Sequence, residues 1–248
     1  MQRTRLLIVG GVVLAAALVA GLVIAFATGS SDSASSGTTT AAAAPAAPGG
    51  TTGQTSPARP AGPVSVLAGV PQHGDTLGNE DAPATMYVYE DPQCPYCKEW
   101  ALGTFPTVVR QYVKTGRLKL VYQGVEIIGP NSVPALRALY AAGNQNKLWN
   151  LAEELYTRQG EENSGWVTDD VLRSAATAVG ANAAKVLADA KGAAITTRLK
   201  QAESAFEAAG APGTPTFVVQ RAVSAPVELQ LGGLDPASFE AALNPALQ

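Results

Sequence analysis

Cysteine and histidine are scarce in this chain, which limits how it can be stabilised. Its 248 residues include two cysteines, Cys94 and Cys97, and one histidine, His73. A fold held by disulfides needs more cysteines spread along the chain, so the hydrophobic core must hold this one. A structural zinc site needs four ligands, more than these three residues supply. We therefore expect no metal and no cofactor, a surface position without a role for His73, and two thiols free for chemistry.

Charge is also sparse. Charged residues make up 15% of the chain, and the formal net charge is −3. Because Arg3, Arg5, Arg59 and Asp32 hold all the charges before residue 64, the remainder carries about −5. A mildly acidic region without a lysine and arginine cluster is poorly suited to binding nucleic acid, so we expect no nucleic-acid partner.

Residues 6–27 form a long apolar run without charge. At ~1.5 Å per residue a helix of this length extends about 33 Å, enough to cross a bilayer. Arg3 and Arg5 precede the run and Asp32 follows it, so the positive-inside bias places residues 1–5 in the cytoplasm. We expect a single-pass protein of the cell membrane whose remaining chain lies outside the cytoplasm.

A cleaved signal peptide is the alternative interpretation of this run. Its end, Ala25-Phe26-Ala27, has the small-x-small pattern of a cleavage site. The run is longer than the ~7–15 apolar residues usual in signal peptides, which favours an uncleaved anchor. No cysteine follows it closely, so we do not expect a lipoprotein anchor.

Residues 28–63 consist of Ala, Thr, Ser, Gly and Pro with almost no large apolar side chain. Such a segment buries too little surface to offset its ordering entropy, so we expect a disordered linker. Its coil span is roughly 30–36 Å. It would tether residues 64–248 near the membrane and leave them free to meet partners.

Residues 64–248 combine strand and helix patterns. Runs rich in β-branched and aromatic residues predict strands, and Ala- and Leu-rich runs with apolar residues at i, i+3, i+4 and i+7 predict helices. A helical block over residues 131–210 separates two pairs of strands, which indicates an α/β fold with a helical insertion. The predicted strands are residues 85–90, 117–123, 216–220 and 227–231.

Several residues mark helix ends. Pro95 and Pro236 suit the first helical turn, where a missing N–H costs nothing. Thr168 and Asp235 are predicted N-caps. Pro106 interrupts the helix that follows the cysteine pair, and we expect a kink there.

The pair Cys94-Pro95-Tyr96-Cys97 directly follows a predicted strand and opens a helix. As a structural disulfide it would close a very short loop and stabilise the fold weakly. As a redox pair it is well placed, because the N-terminal N–H groups of a helix stabilise a thiolate. Cys94 would then be the nucleophile and Cys97, one turn into the helix, the resolving thiol.

Three segments resemble the DsbA/DsbG-like branch of the thioredoxin superfamily: residues 91–97 (DPQCPYC), 130–132 (PNS) and 213–217 (GTPTF). The similarity extends from about residue 69 to the C-terminus. It implies a thioredoxin fold with an inserted helical domain and thiol–disulfide exchange at Cys94 and Cys97.

The resemblance also implies a cis peptide bond before Pro215 that presents the Thr214 backbone to a substrate strand beside Cys94. The sequence itself shows only that a Thr-Pro bond has a small cis penalty, and a trans proline opening an edge strand is the alternative. Pro95 and Tyr96 complete the expected motif and substrate groove, although a purely structural role for Tyr96 remains open.

Two features depart from the family's pattern. The oxidase of this branch has histidine at the position of Tyr96, and tyrosine supplies no positive charge to a thiolate, which predicts a less oxidising disulfide. The Pro-Tyr dipeptide is closer to the isomerase DsbG. The dimerisation domain of that isomerase is replaced here by the linker, so we expect a monomer.

A second departure concerns a proton-transferring acid. The family often has one six residues before the first cysteine, and Val88 occupies that position here. Glu90 and Asp91 are nearby, and because turn carboxylates are usually solvated, Glu90 is a weak candidate for proton transfer. Trp100 and Phe105, on the helix after the motif, are expected in the core or at its rim.

The predicted function is an extracytoplasmic thiol–disulfide oxidoreductase that introduces disulfides into exported proteins. Its partners would be exported proteins with cysteine thiols and an integral membrane oxidase or reductase. Two alternatives stay open from sequence: a reductase or isomerase of the same fold, and a redox-inactive peptide-binding or chaperone module.

Overall fold

The chain folds around a mixed sheet in which strand order differs from sequence order. The structure, a computed structural model, describes residues 65–222 and 224–248. The strands lie side by side in the order β1-β2-β4-β3-β5-β6. They are β1 (Gln72–His73), β2 (Thr76–Leu77), β3 (Ala84–Glu90), β4 (Lys119–Gly124), β5 (Thr216–Arg221) and β6 (Val227–Glu228).

The β3 strand lies at the centre and is paired along nearly its whole length on both sides. It runs parallel to β4, with Glu90 opposite Gly124, and antiparallel to β5, with Tyr89 opposite Thr216. The four predicted strands are confirmed, although the last is shorter than expected. The β1–β2 hairpin at one edge was not predicted, because two-residue strands are too short to show a period.

The helices follow the predicted order. They are α1 (Pro95–Glu99), α2 (Phe105–Val108), α3 (Ser132–Gly143), α4 (Leu148–Thr157), α5 (Asp169–Ala178), α6 (Ala183–Asp189), α7 (Ala193–Ala209) and α8 (Pro236–Ala246). Helices α3 to α7 lie between β4 and β5 in the chain, which confirms an α/β fold with a helical insertion.

The predicted helix ends are confirmed where caps could be recognised. The Thr168 hydroxyl accepts from Val171 N, and the Asp235 carboxylate accepts from Ala237 N and Ser238 N.

The helix after the cysteine pair continues past Pro106 by means of a π-helical turn, Trp100–Thr104, directly before α2. A π-helical turn accommodates the proline within one continuous helical segment.

An aromatic cluster joins the helical segment that follows the cysteine pair to the sheet and to α8. The ring of Trp100 lies 4.5 Å from that of Phe217 in β5 and 4.6 Å from that of Phe239 in α8. All three are essentially buried, and Phe105 stacks on Trp149 from the helical insertion at 5.6 Å. Trp100 and Phe105 therefore belong to the core.

The predictions for residues 1–5, 6–27 and 28–63 lie outside the described residues. Within the described part, no helix combines the length and the apolar character needed to cross a membrane.

Candidate active site

The cysteine pair lies where the central strand passes into a helix. Cys94 is the N-cap of α1, with extended backbone angles (φ −69°, ψ 123°), and Pro95 occupies the first turn. The turn that places it is closed by a hydrogen bond from Cys94 N to Asp91 O at 3.0 Å. Both thiols are free and buried, with Cys94 3% and Cys97 0% exposed.

The fold brings Thr214 and Pro215 beside this pair from 120 residues away. The Thr214–Pro215 peptide bond is cis, as expected. The Cys94 thiol donates to the Thr214 carbonyl with an Sγ–O distance of 3.3 Å. The Thr214 hydroxyl is buried and has no hydrogen-bond partner among the described residues. It is therefore free to donate to the sulfur once the thiol has lost its proton.

The surroundings of Cys94 favour its thiolate. A hydrogen bond from the Cys97 side chain is the largest cause, and it lowers the pKa of Cys94 to about 6. Burial opposes this effect, while Thr214 and the backbone N–H groups of Cys97 and Tyr96 add to it. The N–H groups are those of the first turn of α1, which have no partner within the helix and can bind an anion.

The environment of Cys97 has the opposite effect. Burial is the main cause that raises its pKa well above the usual value, and the charges of Glu90 and Cys94 raise it further. The two sulfurs therefore differ in the way that the roles of nucleophile and resolving thiol require.

Glu90 is buried, so the expectation that its carboxylate would be solvated was wrong. It is the last residue of β3 and is 2% exposed, because the helical insertion covers the end of the strand. Burial raises the pKa of Glu90 to about 8, and hydrogen bonding by Tyr156 limits the rise. The Tyr156 hydroxyl also donates to the backbone carbonyl of Asp91 at 3.3 Å.

A small cavity of about 10 Å³ adjoins the Glu90 carboxyl, close to the space that one water molecule needs. Its wall includes Trp100 and Tyr156, and also Glu153 of α4, whose carboxylate is only partly buried.

Asp91 is also buried, at 0% exposure, and it is a structural anchor that sequence reasoning missed. One carboxylate oxygen accepts from the backbone N–H groups of Ile127 and Ile128, both at 2.8 Å. The other accepts from Gln93 N at 2.8 Å and from the Ser132 hydroxyl at 2.6 Å. These bonds fix the turn before Cys94 to the start of α3.

Gln93 extends the same network into the insertion. Its side chain donates to the Ser132 hydroxyl at 2.9 Å and accepts from Asn163 N at 2.8 Å. Both ends of this network lie in segments that carry the family resemblance, residues 91–97 and 130–132. That Asp91, Gln93 and Ser132 lie in two of the three segments resembling the family was the sequence signal that these side chains contact one another.

The side chains of Tyr96 and His73 are both exposed at the surface. Tyr96 is 62% exposed beside the buried Cys94, so it is accessible to a partner chain. His73 is exposed, as expected. Among the described residues, no group of three or more His, Cys, Asp or Glu side chains is placed to hold a metal ion.

Comparisons with known proteins agree with this geometry. The sequence model of the family described as Thioredoxin matches residues 72–230, which is more than half of the chain. A Bacillus cereus protein named "Probable disulfide bond formation protein D" is 30% identical over 101 residues, covering 40% of this chain and 47% of that protein. The thiol:disulfide interchange protein DsbG of Escherichia coli is 36% identical over 76 residues, covering 31% and 29%.

The chain thus spans less than half the length of these two relatives. Among solved structures, oxidised BdbD from Bacillus subtilis superposes with a TM-score of 0.60 at 20% identity. The match covers 72% of this chain and 97% of BdbD, which shows a common fold. With its α/β fold, its helical insertion and the matching family model, the chain belongs to the thioredoxin family.

Proposed function

We propose that this chain is a thiol–disulfide oxidoreductase that acts through Cys94 and Cys97. The observation that carries the proposal is the contrast between the two thiols at the N-terminus of α1. Cys94 has a pKa lowered to about 6, and Cys97 has a pKa raised by burial. A purely structural pair would need no such difference.

In the oxidising direction, a substrate thiolate attacks Sγ of Cys94 in the Cys94–Cys97 disulfide. The bond between the two sulfurs breaks, a mixed disulfide forms, and Cys97 leaves as a thiolate. The second substrate thiolate then attacks the substrate sulfur of the mixed disulfide and releases Cys94. Two electrons pass from the substrate dithiol to the protein, and the substrate leaves with a disulfide.

Glu90 is the group best placed to handle the proton of Cys97. Its charge acts on that thiol, and a pKa of about 8 allows it to be protonated or ionised near neutral pH. As Cys97 leaves, a protonated Glu90 can supply its proton. In the reverse direction it can accept the proton when Cys97 attacks.

The stabilised thiolate supports an oxidising role. With a pKa of about 6, Cys94 is mostly ionised at neutral pH. A stabilised thiolate favours the reduced protein and so makes its disulfide more oxidising. This value falls between ~7 for thioredoxin and ~3.5 for DsbA, as expected if Tyr96 supplies no positive charge.

The proposed substrates are exported proteins with cysteine thiols, bound as extended peptide. The groove would be formed by Pro95 and the exposed Tyr96 on one side and by Thr214 and Pro215 on the other. The Bacillus cereus protein and DsbG carry names that refer to disulfide formation and disulfide interchange, which supports thiol–disulfide exchange as the chemistry.

We also propose that residues 6–27 anchor the protein in the cell membrane, with residues 28–63 as a tether. The apolar run and the flanking arginines support this topology. An integral membrane oxidase would then re-oxidise Cys94 and Cys97, and the protein would act as a monomer. The anchor can be tested by membrane fractionation. The full chain should leave the membrane fraction only in detergent, and a chain lacking residues 1–27 should not associate with membranes.

The experiment that tests the function is the equilibrium of Cys94 and Cys97 with glutathione buffers. A reduction potential near that of DsbA, about −120 mV, supports a disulfide donor. A value near that of thioredoxin, about −270 mV, would replace the oxidase with a reductase or isomerase. Absence of exchange with glutathione would overturn the redox proposal and favour a peptide-binding module. A Cys94→Ser variant is the control for exchange at other groups.

A further inference from the structure

The segment between α4 and α5 contacts the turn before α1, residues 91–94 (the redox loop), through Gln159. This residue follows the end of α4, and its amide Nε2 donates to Pro92 O at 2.9 Å and to Cys94 O at 3.0 Å. Both hydrogens of one amide group are thus bound to the main chain on either side of Gln93. The Cys94 carbonyl also accepts from Lys98 N at 3.2 Å, the first hydrogen bond of α1.

Gln159 is held in place by its own neighbours. The adjacent Gly160 packs against Trp166 so closely that an added Cβ would lie 2.9 Å from the indole ring. Further along the same segment, Asn163 donates from its side chain to Ile128 O at 3.0 Å and from its backbone to the Gln93 side chain. The segment is therefore fixed to the redox loop at several points, and Gln159 is half-buried between them.

The orientation of the Cys94 main chain matters because the sulfur is stabilised by neighbouring N–H groups. The backbone N–H groups of Tyr96 and Cys97 act on the Cys94 sulfur. Their direction relative to this sulfur depends on the backbone angles of Cys94, which is the N-cap and not part of the regular helix. A bond to the Cys94 carbonyl restricts the rotation that would turn the sulfur away from these groups.

We propose that Gln159 is a positioning residue for thiol–disulfide exchange: its amide holds the Cys94 main chain so that the first N–H groups of α1 point at the sulfur. The helical insertion would thereby tune the redox pair, although Gln159 never touches the reacting atoms. This inference rests on the proposed function.

The test replaces Gln159 in the full chain and measures the potential. Gln159→Met keeps the length of the side chain and removes both donors. We expect the equilibrium with glutathione to shift by about three- to tenfold towards the disulfide, or ~15–30 mV more negative. We also expect ultraviolet titration of the thiolate to show a higher pKa for Cys94.

Gln72→Met is the matched control. Its amide also makes a tertiary hydrogen bond, at 2.8 Å to Asn150 of α4, but contacts no part of the redox loop. It should leave the potential unchanged. Gln159→Ala, which adds no bulk, is the second variant in case methionine distorts the segment.

A folded Gln159→Met protein with the wild-type potential and thiolate pKa would overturn the inference. Unfolding of both Gln159 variants would also count against it, because a positioning role requires the fold to survive. The two proposals fail separately: if the wild-type protein does not exchange with glutathione, the proposed function is lost. If it exchanges and the variants match it, only the role of Gln159 is lost.

Discussion

The carboxyl group of Glu90 and the thiol of Cys97 share one buried environment. Glu90 ends the central strand, Cys97 lies in the first turn of the following helix, and the charge of Glu90 raises the pKa of Cys97. The charge of an acid two residues after Val88 therefore acts on the proposed resolving thiol. Two buried groups that disfavour each other's charge are suited to passing a proton between them.

Substitution of Glu90 by glutamine should change the pH dependence of stability. Burial raises the pKa of Glu90 from 4.5 to about 8, so the folded protein holds this proton more tightly than the unfolded chain. The stabilisation that this proton gives the folded state is complete below about pH 4.5 and is lost as the pH rises to about 8. In the disulfide form Cys94 carries no charge, but burial, the largest cause, still raises the pKa of Glu90, so the free energy of unfolding should still fall as the pH rises above about 4.5.

Urea unfolding of oxidised wild-type protein between pH 5 and 8 measures this slope, which reaches at most ~1.4 kcal/mol per pH unit. Glu90→Gln should flatten it, and the exposed Glu126→Gln should not. An unchanged slope in Glu90→Gln would show that Glu90 does not titrate in this window.

The two cysteines should give opposite results when replaced singly. A reduced Cys97→Ser protein incubated with a peptide disulfide retains the proposed nucleophile but cannot resolve. The Cys94 thiolate attacks one peptide sulfur and releases the other as a thiol, so the mixed disulfide should accumulate. A Cys94→Ser protein should form little adduct, because its remaining thiol is buried and has a raised pKa. Mass spectrometry of the non-reduced proteins measures both species, and equal adduct formation would contradict the assigned roles.

Alkylation of the reduced protein should follow the ionisation of Cys94. The pKa of this thiol is lowered to about 6, so the rate should rise through that pH and level off near neutrality. Since the Cys97 side chain is the largest cause, Cys97→Ala should move the midpoint upward. Peptide mapping after limited alkylation identifies the modified cysteine, and a midpoint near 9 in the wild type would contradict the assignment.

Substitution of Asp91 by asparagine should destabilise the fold. The Asp91 carboxylate accepts four hydrogen bonds, three of them from backbone N–H groups. An amide NH₂ would face donors at one of these positions, and leaving buried donors unpaired costs about 1–3 kcal/mol each. Chemical denaturation should show a loss of at least about 2 kcal/mol, whereas Asp81→Asn at an exposed turn should change little.

The sequence determined the local features of the redox site. A β-branched and aromatic run followed by Cys94 and Pro95 specifies a strand, an N-cap and a first helical turn, because each depends on neighbours in the chain. The same holds for the caps at Thr168 and Asp235. Cys94 could be proposed as the nucleophile for the same reason, since the end of a helix is a local feature.

Tertiary structure alone decided the burial of Glu90 and Asp91. These two residues are consecutive and lie at the end of a strand, where most carboxylates face water. Nothing in the neighbouring sequence marks them as buried. Helices α3 and α4, which come later in the chain, cover this position and supply Ser132 and Tyr156 as partners. Solvation depends on what packs over a group, and that information lies outside its own segment.

The contacts of Cys94 with Thr214 and Gln159 were decided in the same way. Thr214 comes 120 residues after Cys94 and Gln159 comes 65 residues after it, and neither distance gives any local period. Sequence therefore determined which residues are proposed to carry the chemistry and where the helix beside them begins. Only the packed insertion decided which distant groups fix their geometry and protonation, because hydrogen bonds and burial depend on proximity in space.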